Sequence, residues 1–461
     1  PTPFMEKFKA NILGFRTQFI DRLDPLEKIA STMDDSLKAT QMMYWARMYG
    51  QRNNFMAEVS ANGPLAVEQT KRADGRTEYM VKSKEGASLQ KIAEVLRGAG
   101  IGNADAVDTR FKTYLIAERA ERTGFNSVVG FVPKSVTEAD LKKALAAGRA
   151  NEAFQKARKL YQEYNDGLID FAVQTGALSE DLGKLLKSSQ DYVSFYRKDG
   201  DSINLIIDGE KIGTIGSLKN QPYLQELVGG DDQITGFFDG ALRNTHLLTD
   251  MALRNIATRN TANTLQEIGL AKIGKGDGPA GKTTIRFREH GQDRYAVIDT
   301  DTLGIPPELV AYGMEGISTQ LPAAFKLLGV PARLLRHFIV RNPVYAFRQV
   351  FRDSVANVLM TGADFTPVVD PMKEMVRMWR GKSDAEAQLQ QRGVVGGQVL
   401  TGDMEDRATV LKQLQSGKPG WRTAMAKLDF MAMQADAASR VSAYNSFRQQ
   451  GLSDMEATLA T

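Results

Sequence analysis

A chain of 461 residues, 42% hydrophobic, 25% charged and 8% aromatic, is long enough for two or three domains of about 100–200 residues, and this composition excludes wholesale disorder, collagen and a disulfide scaffold. Its 59 Lys and Arg against 55 Asp and Glu give a net charge of +4, which permits anionic partners and demands none. The absence of cysteine removes thiol nucleophiles, disulfides, iron–sulfur clusters and every Cys-containing zinc site, and leaves the compartment open.

The first residues, Pro1 to Ile20, do not read as a signal peptide, because Glu6, Lys7 and Lys9 interrupt them. Helices are expected at about 4–20, 25–50, 88–99, 104–123 and 179–189, the last with Ser179 as N-cap and Glu180 and Asp181 complementing the dipole. Between them Phe154, Ala157, Tyr161, Tyr164, Leu168 and Phe171 step by three and four, a heptad seam on a helix that ends near Gly176. Such a seam must lie against another helix. Packing inside the chain is the simpler reading, and contact with another copy is the alternative.

The middle changes character. Asn204 to Ile215 holds two short β runs around Asp208-Gly209, and Thr284 to Ile298 holds two more with a turn near Gly291. Isolated two-stranded hairpins are marginal, so these two are expected to pair with each other or to lie on helices. Gly240 to Gly269 reads as one long helix between them. After Ile305-Pro306-Pro307 helices resume: Val330-Pro331 and Asn342-Pro343 mark helix starts, and 343–360 carries the stripe Val344, Phe347, Phe351, Val355, Val358. A Gly-rich loop is expected over 381–402, then a long helix over about 421–449 whose Ala432, Ala435, Ala438, Ser439, Ser442 and Ala443 would let another backbone approach closely, with Met425, Met431 and Met433 as adaptable packing beside them. The most apolar stretch, 316–340, is broken by Lys326, Arg333 and Arg336, so no run of about 18 apolar residues suggests a spanning helix. Ser453 to Glu456 is a capping box so close to Thr461, in a chain that starts without Met, that a piece of a longer polypeptide is expected.

Gly276 to Thr283, GDGPAGKT, matches the phosphate-loop pattern G-x-x-x-x-G-K-[ST]. Its context argues instead for a polar connector, since a helical stretch ending at Leu270 precedes it and a β run follows, whereas a phosphate loop joins a strand to a helix whose dipole it uses. His246, His290 and His337 lie far apart, with no paired spacing for zinc and no nucleophile elbow in the chain. Asp231-Asp232 and Asp299 with Asp301 read as solvated turn acids, although such pairs can also hold a hard cation. No catalytic, cofactor or metal residues are therefore assigned, and no cofactor is expected. One charge feature stands out. Arg333, Arg336, Arg341, Arg348 and Arg352 form a basic run, and over 331–341 Leu334, Leu335, Phe338 and Ile339 make an apolar face flanked by arginines, a basic amphipathic helix that can pair with acids across a bundle, lie on anionic lipid or meet nucleic acid.

Several short blocks resemble a known family when taken in order: Phe15-Arg-Thr-Gln-Phe-Ile-Asp-Arg22 with Pro25-Leu26, Tyr44-Trp-Ala-Arg-Met-Tyr49, Gly63-Pro-Leu65, Tyr192-Val-Ser-Phe-Tyr-Arg197, Ala241-Leu-Arg-Asn244 with Arg259-Asn260, Arg341-Asn-Pro343 with Phe347-Arg348 and Arg352-Asp353, Ala437-Ala-Ser-Arg440, and Gly451-Leu-Ser-Asp-Met-Glu-Ala457. Together they resemble the large polyvalent-protein-associated domain of tailed phages over nearly the whole chain. The resemblance implies an internal virion or ejection protein, stored in the capsid and expelled into the host envelope and periplasm to help form a conduit for the genome. It implies partners among its own copies, other core, portal or tail proteins, genomic DNA and the envelope membrane, and it carries no catalytic positions. A cell-wall lytic, nuclease or nucleotide-using enzyme, or a nucleic-acid-binding module on Arg333 to Arg352, is the alternative.

The fold expected is mainly α, a multi-helix bundle with one or two small β-hairpin insertions, divided into a helical region over 1–198, a mixed region over 199–305 and a helical region over 306–461. The candidate contacts to anions are Arg333, Arg336, Arg341, Arg348 and Arg352. Candidate helix-interface residues are Phe154, Tyr161, Tyr164, Leu168, Phe171, Ala432, Ala435 and Ala438.

Overall fold

The structure, a computed structural model, describes residues 23–72, 74–101, 103–125, 136–188, 205–207, 210–213, 236–276, 278–315, 354, 358, 362–395, 410–412 and 437–461. It is mainly α with small antiparallel sheets, as the periodicity predicts. The expected helix at 4–20, the stripe over 343–360 apart from Ser354 and Val358, and the basic segment 331–352 lie outside the described residues.

The helix expected at 25–50 is two. Asp24–Ala30 (α1) carries Pro25 in its first turn, and Ser36–Gly50 (α2) starts where the Asp35 carboxylate accepts from the Leu37 and Lys38 amides. Gln51 then turns the chain into Arg52–Asn62 (α3). The next element was not expected: Leu65–Lys71 (β1) and Thr77–Ser83 (β2) pair antiparallel around Asp74-Gly75, with Gly75 at φ +82. Leu89–Arg97 (α4), Ala104–Thr123 (α5) and Glu180–Ser188 (α8) fall where expected, capped by Ser88, Asn103 and Ser179. Glu138–Ala150 (α6), with a Thr137–Asp140 capping box, and Glu152–Gln174 (α7) complete the first half.

Leu205–Ile207 (β3) and Glu210–Gly213 (β4) form the first expected hairpin. The long helix is Phe237–Glu267 (α9), the central element, packed on α2, α3, α5 and α7. The second hairpin, Thr284–Glu289 (β6) and Gln292–Ile298 (β7), does not join the first. It pairs instead with an unforeseen strand, Ala271–Lys275 (β5), in the order β5-β7-β6. Ala271, Ile285, Phe287, Ala296 and Ile298 share the face of this sheet that is buried, and β5 and β6 pack on α9.

Pro307–Glu315 (α10) follows. Val369–Trp379 (α11) and Asp384–Gln391 (α12) precede the C-terminal helices, residues 437–449 (α13) and Asp454–Ala460 (α14). The Gly-rich loop expected over 381–402 thus contains a helix, because Ser383 accepts from the Glu386 amide and caps it. Apolar side chains from 1–198, 199–305 and 306–461 meet in one cluster that runs from Leu26 to Ala457.

Candidate functional site

The heptad seam of α7 faces inward. Phe154, Ala157, Tyr161, Tyr164, Leu168 and Phe171 are all buried, at most 4% exposed. Phe154 meets Phe111 of α5 edge-on at 5.3 Å, Tyr161 meets Phe237 of α9 at 4.9 Å, and the Tyr164 hydroxyl lies 2.7 Å from Thr245 Oγ1. The seam is therefore filled by helices of the same chain and offers nothing to a second copy. Ala438 on α13 is likewise fully buried, together with Ala437, Val441 and Ala443. Ala432, Ala435 and the five arginines from Arg333 to Arg352 lie outside the described residues.

The phosphate-loop match sits between strands. β5, not a helix, precedes it and β6 follows it, so the loop has a strand on both sides and no helix dipole at its end. Gly276, Gly278 and Gly281 adopt left-handed φ values, Thr283 Oγ1 donates to Glu308 Oε1 at 3.0 Å, and Lys282 is exposed. Asp299 and Asp301 are exposed acids, and His246 and His290 lie on α9 and in the β6–β7 turn. Among the described residues no three His, Asp or Glu side chains converge as a metal site would require.

What the structure does bring together is a set of buried and half-buried polar joints, several of them in the blocks Tyr44–Tyr49, Gly63–Leu65, Ala241–Asn244 and Gly451–Ala457. Arg392, 5% exposed, donates through Nη1 to Tyr444 Oη at 3.1 Å and Thr458 Oγ1 at 3.3 Å, and through Nη2 to Asp454 Oδ2 at 2.8 Å. Tyr444 Oη is 2.8 Å from Asp454 Oδ1, and Arg448 Nε is 3.1 Å from the same oxygen. Burial opposes both charges of the pair, yet each partner outweighs it. Asp454 holds the Arg392 guanidinium above its ordinary pKa, and Arg392 holds the Asp454 carboxyl below the usual carboxylate range.

Next to it, Glu456 accepts from the Ser453 amide in a capping box and from Arg72 Nη1 at 3.1 Å, while Arg72 also reaches Glu78 Oε1 at 2.7 Å. The last helix is thereby tied to the β1–β2 hairpin. Arg47 of α2 joins the ends of the described fold, reaching Glu27 Oε1 at 2.5 Å and donating to the Leu459 carbonyl at 3.3 Å. From the same block, the Tyr44 hydroxyl accepts from the Val81 amide at 3.0 Å, and burial, opposed only in part by that bond, pushes its pKa far up. Gly63 has φ +133 and stands so close to the Lys84 carbonyl that a Cβ would be 2.5 Å from it, and Pro64 packs on Gly167. Asn244 donates to Asn165 Oδ1 at 3.3 Å, between α9 and α7.

Two joints lie outside the blocks. Asn255 of α9 donates to the Thr175 and Arg288 carbonyls, both at 2.9 Å, and accepts from the Arg288 amide at 2.6 Å, which docks the β6–β7 hairpin on the corner after α7. Asp108 of α5 caps α9 from a distance: its carboxylate accepts from the Phe237 amide at 2.9 Å and the Phe238 amide at 3.3 Å. α9 has no side-chain cap of its own at Gly236, and burial pushes the Asp108 pKa up despite those two bonds and the nearby Lys412. No local pattern points to Asp108 or Arg392, because their partners lie 129 and 62 residues away.

No family model matches the chain, and no curated protein or solved structure matches it.

Proposed function

We propose that the chain is a structural segment of an internal virion protein of a tailed phage, one that acts through contacts with other particle components and helps form the conduit by which the genome crosses the host cell envelope. One observation carries this reading beyond the resemblance. The described residues of the resembling blocks serve as joints of the fold: Tyr44 on β2, Gly63 and Pro64 on the β1 entry, Asn244 between α9 and α7, Ala437 and Ala438 inside α13, and Ser453 to Glu456 at the C-terminal clasp. With the α7 seam and Ala438 of α13 buried inside the chain, contacts between copies fall to other surfaces.

The test is to purify particles of the phage that encodes the chain and to look for it in them by peptide mass spectrometry, alongside a strain in which it is deleted. The chain is expected inside the capsid, and particles lacking it should adsorb to cells yet fail to deliver DNA. Its absence from particles, or full infectivity of the deletion strain, would overturn the proposal.

A further inference from the structure

α11 has two apolar faces. Met375 and Met378 turn into the core, whereas Val369 and Val376 stand 48% and 37% exposed. Val369, Met372 and Val376, spaced i, i+3 and i+7, form one stripe along the helix, with the half-buried Met372 also packed against the core. With Val368 they line a shallow groove of about 640 Å³ whose rim carries Lys373 and Arg377. The entry to the helix is strained. Val368, a β-branched residue, sits at φ 68, a region that favours glycine, held by its amide donating to Ser354 Oγ at 3.2 Å and its carbonyl accepting from the Met372 amide at 3.0 Å. That conformation keeps Val368 and Val369 at the mouth of the groove.

Charge around this stripe is one-sided. Lys373 and Arg377 are 64% and 61% exposed, and the exposed Arg380 and Lys382 follow with no ion pair among the described residues. Asp370 pairs with Lys373 at 3.0 Å and Glu374 with Arg377 at 2.6 Å, but the Glu374 carboxylate is itself buried, so the face shows more positive than negative charge. The exposed acids nearest in the chain are Asp364, before α11, and Asp384, at the start of α12.

We propose that this face of α11 docks on an anionic lipid surface, with Val369 and Val376 entering the boundary between headgroups and acyl chains while Lys373, Arg377, Arg380 and Lys382 meet the lipid phosphates. The inference rests on the reading of the chain as a virion protein that meets the cell envelope, but the surface itself is argued from α11 alone. A nucleic acid would leave the valines in water, and a second copy would bring two cationic rims together. An anionic bilayer satisfies the stripe and the rim at once.

The chain is to be co-sedimented with vesicles of phosphatidylcholine alone and of phosphatidylcholine mixed with phosphatidylglycerol. Binding is expected to the mixed vesicles, weaker in high salt, and to fall about tenfold in V369S/V376S. R380E/K382E should erase the preference for phosphatidylglycerol. All four positions are exposed, so melting curves should match the parent chain. Failure to bind either vesicle, indifference to the substitutions, or a dimer that V376S splits would overturn the assignment. If vesicles are not bound and the chain is nevertheless found in particles, the lipid surface fails and the virion role stands; a chain that binds vesicles but is missing from particles gives the opposite result.

Discussion

Asp454 is a half-buried carboxylate and Asp108 a buried one, and their environments drive them in opposite directions. The Asp454 pKa is held below its ordinary value of 3.8 by Arg392, so its contribution to stability is complete above that value and is lost as pH falls through the lower folded one. Replacing it with Asn leaves a buried guanidinium without its anion. Because Asp454 keeps 27% side-chain exposure, the loss is expected at about 2 kcal/mol, below the ~3–5 kcal/mol of a fully buried pair, and urea midpoints of D454N and the parent should converge in acid. Asp108 runs the other way. Its folded pKa is raised by burial, so its contribution is greatest in acid and declines as pH rises through the folded value. D108A removes the cap of α9 and should cost about 1–2 kcal/mol, whereas D108N keeps one acceptor, costs about half as much and abolishes that part of the pH slope; thermal melts across pH 3–7 would separate the two. Neither residue was legible in the sequence. Single carboxylates carry no spacing signature, and the groups that define them are remote in the chain.

At the scale of elements legibility was uneven: the long α9 was anticipated although it is buried on most sides, whereas α6, with one face in water and a capping box, and the largely buried α3 were not. α4, α5, α7 and α8 announce themselves by caps and periodic apolar positions. α3 buries seven consecutive residues from Phe55 to Ala61, which leaves no stripe to see. β1 and β2 were missed although Asp74-Gly75 is a hairpin turn, because Glu68, Gln69 and Thr70 dilute the alternation on an exposed strand. β5 depends on β7, a partner reached only through the fold. The seam on α7 was read correctly as a packing stripe, and its burial decides between the two partners it could have had: L168A should lose about 3 kcal/mol of stability in urea while light scattering shows the same mass as the parent. Gly148 in α6 gives a second test. In an exposed helix Gly→Ala stabilises by about 1 kcal/mol, but a Cβ here would stand 2.1 Å from the ring of Tyr114, whose hydroxyl is fixed by Glu118 and Gln155. G148A is therefore expected to destabilise by about 1–3 kcal/mol, measured by the same denaturation.

At the scale of the whole molecule the fold class was legible, and among the described residues one apolar cluster draws on residues from Leu26 to Ala457. Polar joints knit the same distances: Arg72 with Glu456, Arg392 with Asp454, Arg47 with the Leu459 carbonyl. Such pairings are set by three-dimensional proximity alone, so neither composition nor periodicity could propose them. R47A is expected to speed amide exchange across Met455–Ala460 several-fold while leaving α7 and α9 protected, as mass spectrometry of exchanged peptides would show. With Glu27 and Leu459 both held by the Arg47 side chain, the first and last described helices meet at a single corner. Traction applied between α1 and α14 would thus load the Arg47 bridge together with the Arg72–Glu456 and Arg392–Asp454 pairs, and no disulfide shares that load.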